Sequence, residues 1–140
     1  MKNYVVGFLF SENEQSVLLI EKQRPDWQKG SWNGIGGHIE PEETPLQAIV
    51  REFKEETDMG STPESWSNFL TCDYGDCIVY FFRAFAPYQW LLSAKSMTDE
   101  VVWVWTVEAV HNSSIVIPNL KWIIPLALDK YICITKSFKS

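Results

Sequence analysis

The 140-residue chain is poor in histidine and cysteine, with two of the first and three of the second. A zinc centre takes four nitrogen or sulfur donors at short, regular spacings, and His38, His111, Cys72, Cys77 and Cys133 are too scattered to supply them. The odd cysteine count carries no framework spacing, so the thiols read as small apolar side chains in a reducing compartment, with neither zinc nor a structural disulfide expected. Long uncharged apolar runs are missing and mean hydropathy is −0.13, so no membrane span is expected. Positive charge is in the minority, with 12 Lys and Arg against 18 Asp and Glu and a net charge of −6. A nucleic-acid polymer or an anionic membrane is bound through a basic face, and neither is expected as a partner. The first residues lack the extended apolar core of a secretory signal, so a cytoplasmic location is expected.

What is present is ample apolar material, 46% of residues with 14% aromatic. That offsets the ordering entropy of a chain this size, and a single domain over residues 1–140 is expected. Asn3 to Phe10 and Ser16 to Glu21 are apolar runs around a polar turn, which predicts a hairpin. Further strands are predicted over 67–72, 77–86 and 101–106, and a closing helix over 118–134 with Leu120, Ile123, Ile124, Ala127, Leu128 and Tyr131 facing inward. Pro125 inside that helix removes a hydrogen bond and should bend it. Strands outnumber helices, which suits an α+β fold with a mixed sheet held between helices.

Between the first strands and the middle of the chain lies Trp32-Asn33-Gly34-Ile35-Gly36-Gly37, whose glycines imply close backbone approach. Thr44, Pro45 and Gln47 then combine an N-cap, a first-turn proline and a capping box, predicting a helix to about Asp58. Glu52, Glu55 and Glu56 fall at i, i+3 and i+4, so that helix carries three carboxylates on one face. Like charges this close repel, and an all-oxygen cluster suits a hard divalent cation shared with substrate phosphates.

Gly37, Glu43 and Arg51-Glu52-Phe53-Lys54-Glu55-Glu56-Thr57-Asp58-Met59 resemble the Nudix box, G-x5-E-x7-R-E-U-x-E-E-x-G-U, at eight of its nine specified positions. Asp58 departs, standing where the family has a helix-ending glycine, and is expected in the left-handed conformation. The resemblance implies an α/β/α sandwich around a mixed sheet, and hydrolysis of a nucleoside diphosphate linked to another group with Mg²⁺ or Mn²⁺. It implies metal ligation by Glu52, Glu55, Glu56 and the Gly37 carbonyl, with Arg51 orienting the carboxylates and Glu43 as its structural ion partner. Either Glu52 or Glu100, which stands where many members carry an extra ligand or base, would be the general base.

The W-N-G-x-G-G stretch is similar to that of Nudix enzymes that clear oxidised purine nucleoside triphosphates, in which the Asn amide reads the base. By that likeness Asn33 would contact the base, and Asn119 would do so from the start of the final helix, where those enzymes carry paired aspartates. Leu120 departs from the pair, because it cannot hydrogen-bond. Trp27 and Trp32 flank the loop before the box and could stack on a nucleobase. Three readings follow: a nucleoside triphosphate pyrophosphohydrolase, an ADP-ribose or dinucleotide pyrophosphatase, and a non-catalytic nucleotide-binding module. The partner in each is a small nucleotide, taken by a monomer or a homodimer.

Overall fold

Large apolar residues on both faces mark β1 (Tyr4–Ser11) and β2 (Ser16–Glu21) as strands covered from two sides. A computed structural model of the protein describes residues 2–138. After β2 come the short strands β3 (Trp32–Asn33) and β4 (Ile35–His38), then helix α1 (Pro45–Thr57). β5 (Ser67–Asp73) and β6 (Ile78–Ala86) form a hairpin, followed by α2 (Tyr88–Leu92), β7 (Val102–Thr106) and α3 (Val107–Asn112). The chain closes with α4 (Leu120–Leu128) and β8 (Ile134–Ser137).

Among the described residues the strands make one sheet in the order β3-β2-β1-β6-β5-β8, with β4 on β1 and β7 on β2. β1 runs parallel to β6 and β5 parallel to β8, while the remaining pairs are antiparallel, so the sheet is mixed as expected. Strand alternation sends Val5, Leu9, Leu18 and Ile20 to one face, where they meet Ala48, Ile49 and Phe53 of α1 and Leu91 of α2. Phe8, Phe10, Val17 and Leu19 point the other way onto Leu120, Ile123, Ile124 and Ala127 of α4. Helices therefore cover both faces, and the architecture is an α/β/α sandwich.

α1 has the predicted start. Thr44 Oγ1 accepts from the Gln47 N–H at 3.1 Å, and the Thr44 N–H donates to Gln47 Oε1 at 2.9 Å. It ends at Asp58, which takes the left-handed conformation at φ 61°. The strain is offset by Lys54, whose ammonium lies 3.1 Å from the Asp58 carboxylate and holds its pKa below the usual range.

The closing segment corrects the sequence expectation. The predicted helix over 118–134 stops at Leu128; Tyr131 is fully exposed rather than inward, and Ile134 opens a strand. Arg83 ends the helix by donating to the carbonyls of Ala127, Asp129 and Lys130 at 2.9–3.2 Å. The β-branched residues that follow, Ile132, Ile134 and Thr135, favour extended backbone. Pro125 stays inside α4, because the carbonyl it cannot reach belongs to Lys121 on the exposed side. Cys72 is buried, Cys77 half-buried and Cys133 exposed, and all three thiols are free. No helix among the described residues is long and apolar enough to cross a membrane.

Candidate active site

The site begins with how closely β4 and α1 lie on β1. Gly36 pairs with Val6 and Gly37 with Val5. A Cβ on Gly36 would collide with the Val5 carbonyl oxygen, and one on Gly37 would sit 2.6 Å from Glu52 Oε1. Position 36 therefore needs glycine, while at Gly37 the Glu52 carboxylate occupies the space a side chain would fill.

Arg51 braces this arrangement. Its guanidinium donates to both oxygens of Glu43, at 2.7 and 2.9 Å, and to the His38 carbonyl at 2.9 Å. The same group reaches Glu52 Oε1 at 2.9 Å and Glu55 Oε2 at 3.2 Å. One planar, permanently charged fork thus ties the loop before α1, the end of β4 and the acidic helix face together. Glu43 is held below the ordinary carboxylate pKa by Arg51. Its Oε1 also accepts from the Glu40 N–H at 3.0 Å.

Glu52 and Glu56 show the opposite electrostatics. Burial pushes both carboxyl groups above their ordinary pKa, partly countered at Glu52 by Arg51 and reinforced at Glu56 by the charges of Glu100 and Glu52. Glu100 is buried at 3% exposure. It accepts from the Gln23 N–H at 2.6 Å and pairs with Lys22 at 3.4 Å and Arg24 at 3.7 Å. Thr98 links it to Glu56: Thr98 Oγ1 donates to Glu56 at 3.3 Å and accepts from the Glu100 N–H at 3.1 Å. Glu55 points outward, its side chain 56% exposed beside Arg51, and does not line the cleft described next.

Glu52, Glu56, Glu100 and Gly37 line a cleft of about 850 Å³. Among the described residues no three or more His, Cys, Asp or Glu side chains are gathered tightly enough to enclose an ion. Arg51 holds Glu52, Lys22 and Arg24 hold Glu100, and Thr98 holds Glu56. The donors nevertheless fit a hard divalent cation in kind: carboxylate oxygens with a bare glycine backbone beside them, and a repulsion between Glu56 and its acidic neighbours that such an ion would relieve.

Neutral amides line the same cleft: Gln28, Asn33 and Asn119. Asn33 Oδ1 accepts from the Gly34 N–H at 2.7 Å, and its amide donates to Gln28 Oε1 at 3.3 Å. Asn119 differs, because its Oδ1 is buried without a hydrogen-bond partner. Trp27 lines the cleft and is 73% exposed. Trp32 does not line it. Successive strand residues point to opposite sides, and its ring packs 5.4 Å from that of Trp105 while Asn33 takes the cleft side. Leu120 is wholly buried in the core and offers nothing to a ligand.

Sequence reasoning missed Lys22, Arg24, Gln28 and Tyr74, all of which line the cleft. The signal for the first two was a pair of cations two residues apart directly after a buried strand.

This fold and this cleft define a class, and the comparisons give its name. Residues 1–119 match the NUDIX domain. Over 62 residues the chain is 39% identical to the 8-oxo-dGDP phosphatase NUDT18 of Homo sapiens, covering 44% of this chain and 19% of that protein. It is 36% identical over 62 residues to the CTP pyrophosphohydrolase of Escherichia coli (strain K12), covering 44% of this chain and 46% of that protein. The matches thus span less than half the length of either curated relative. A solved structure of MutT, from work on Aliivibrio salmonicida and Vibrio cholerae, superposes with a TM-score of 0.72 at 20% identity, covering 91% of this chain and 97% of that one. The chain belongs to the NUDIX domain family.

Proposed function

We propose that the protein is a Mg²⁺- or Mn²⁺-dependent pyrophosphohydrolase that splits a nucleoside triphosphate into a monophosphate and pyrophosphate. The observation that carries the reading is one cleft lined both by the box carboxylates Glu52 and Glu56, with Glu100, and by an unpaired buried amide oxygen on Asn119. A phosphate chain calls for charge neutralisation, whereas a nucleobase edge calls for neutral donors and acceptors. The cleft offers both. The named activities of the curated relatives, on 8-oxo-dGDP and CTP, are consistent with a nucleotide substrate.

Glu52, Glu56 and Glu100, with the Gly37 carbonyl, would hold the cation, and Glu55 would join only by turning inward from Arg51. A bound divalent cation would supply Lewis-acid polarisation of phosphate oxygens and lower the pKa of a coordinated water. Arg51 keeps Glu52 oriented and partly counters the upward push of burial on its pKa. Lys22 and Arg24 supply positive charge to a cleft that is otherwise acidic. Either Glu52 or Glu100 would take the proton from the attacking water. Asn33 and Asn119 read the base edge, and Trp27 covers it from the open side.

The test is incubation with Mg²⁺ and a panel of normal and oxidised nucleoside triphosphates, ADP-ribose and dinucleotide polyphosphates, with products resolved by ion exchange. Monophosphate and pyrophosphate from a triphosphate are expected. Cleavage of ADP-ribose or a dinucleotide alone would replace the substrate class, and tight binding without turnover would identify a binding module.

A further inference from the structure

The C-terminal strand has a contact with the cleft that the hydrolytic site does not account for. β8 runs parallel to β5 in the register Leu70↔Ile134 to Asp73↔Ser137. Extending that register by one residue sets Phe138 beside Tyr74, and the Phe138 N–H fixes it by donating to the Asp73 carbonyl at 2.6 Å. The two rings stack with centroids 4.9 Å apart and planes 10° from parallel. Tyr74 itself lines the cleft, with Cys77 of the same turn and Val79 and Phe81 of the adjoining strand β6. The turn that carries it is fixed from within: Asp73 Oδ1 accepts from the Gly75 N–H at 2.9 Å, and the Tyr74 N–H donates to the Cys77 carbonyl at 2.9 Å. Tyr74 remains 38% exposed, so Phe138 covers one face of its ring and leaves the rest open.

We propose that Phe138 is a positioning residue, through which the C-terminal strand holds Tyr74 as an aromatic wall on the nucleoside side of the cleft. This rests on the nucleotide reading above. The cleft-lining side chains here, Tyr74, Cys77, Val79 and Phe81, carry no charge, and an aromatic ring held by a second ring loses little freedom when a base or sugar packs on it. The strand therefore sets affinity for the nucleoside and leaves the phosphate chemistry alone.

The test measures KM and kcat for the nucleoside triphosphate turned over fastest by the wild-type protein. Inhibition by pyrophosphate, which has no base, is measured beside them, as are the Kd of the nucleoside monophosphate and the melting temperature. F138A and Y74A are expected to raise KM and Kd about five- to tenfold, with kcat and the pyrophosphate Ki within twofold of wild type. F138W, which restores a ring, should recover most of the affinity. Unchanged KM and Kd in F138A would overturn the wall. So would a parallel rise in the pyrophosphate Ki or a fall in kcat, since those report general loosening. A wild-type protein that neither binds nor hydrolyses nucleotides would overturn the proposed function and this inference together; the other results leave the proposed function standing.

Discussion

Glu56 concentrates the electrostatic tension of the site. Its carboxyl is pushed above the ordinary range by burial first and by Glu100 and Glu52 next. A raised carboxylate pKa means that the folded state binds protons more tightly than the unfolded chain. The associated stability is present at pH values below the unfolded pKa and is lost as pH rises through the folded one. At neutral pH the ionised group is therefore a cost that the metal-free protein carries. Glu56→Gln should raise the melting temperature of the metal-free protein at pH 7 by roughly 2–4 °C, with the gain shrinking as pH falls through the carboxylate range. Mg²⁺ should stabilise the wild type and leave the variant unmoved. A scanning-fluorimetry series over pH and Mg²⁺ reads both effects. Asn119 makes a second claim at this scale: with its buried Oδ1 unpaired, Asn119→Ala should raise nucleoside triphosphate KM about tenfold while changing kcat little, as steady-state kinetics will show.

β4 and α1 act as a unit. Gly36 lets the strand lie against β1, Gly37 leaves room for the Glu52 carboxylate, and the Arg51 fork then fixes the helix to the strand. Gly37→Ala would place a methyl group 2.6 Å from Glu52 Oε1 and force that carboxylate aside. The expected result is a folded protein, by circular dichroism, with activity down roughly 10²-fold. The helix was legible in the sequence because its signals are local, whereas for β4 the glycines implied only close backbone approach and no strand was predicted. Thr44, Pro45 and Gln47 announce the helix start, and the spacing of Glu52, Glu55 and Glu56 follows from helix geometry alone. β8 was not legible. Its apolar residues continue the pattern of α4, and what separates them is Arg83, a distant side chain that caps the helix from β6. The orientation of Glu55 was not legible either, because its contact with Arg51 at 3.2 Å appears only in the folded chain.

For the molecule as a whole, the mixed sheet gathers pieces from far apart in sequence. Lys22 and Glu100 meet at 3.4 Å although 78 residues separate them, and Asn33 and Asn119 line one cleft from opposite ends of the chain. The acidic balance that argued against polymer binding takes on a local meaning: the net charge of −6 includes buried carboxylates whose repulsion favours an added cation. Family membership and the sandwich architecture could be read from 23 residues, 37–59, together with the order of elements. The place of Tyr74 in the cleft could not, because it belongs to no contiguous pattern with the box. The central claim is that Glu52 and Glu56 serve divalent-cation-dependent pyrophosphohydrolysis of a nucleoside triphosphate. Its most direct test is Mg²⁺-dependent turnover of the preferred triphosphate by wild type and Glu56→Gln in parallel, with products resolved. The account predicts monophosphate and pyrophosphate from the wild type and turnover about 10²–10³-fold lower from the variant. Nucleoside diphosphate and orthophosphate as products, or a variant within tenfold of wild type, would contradict it.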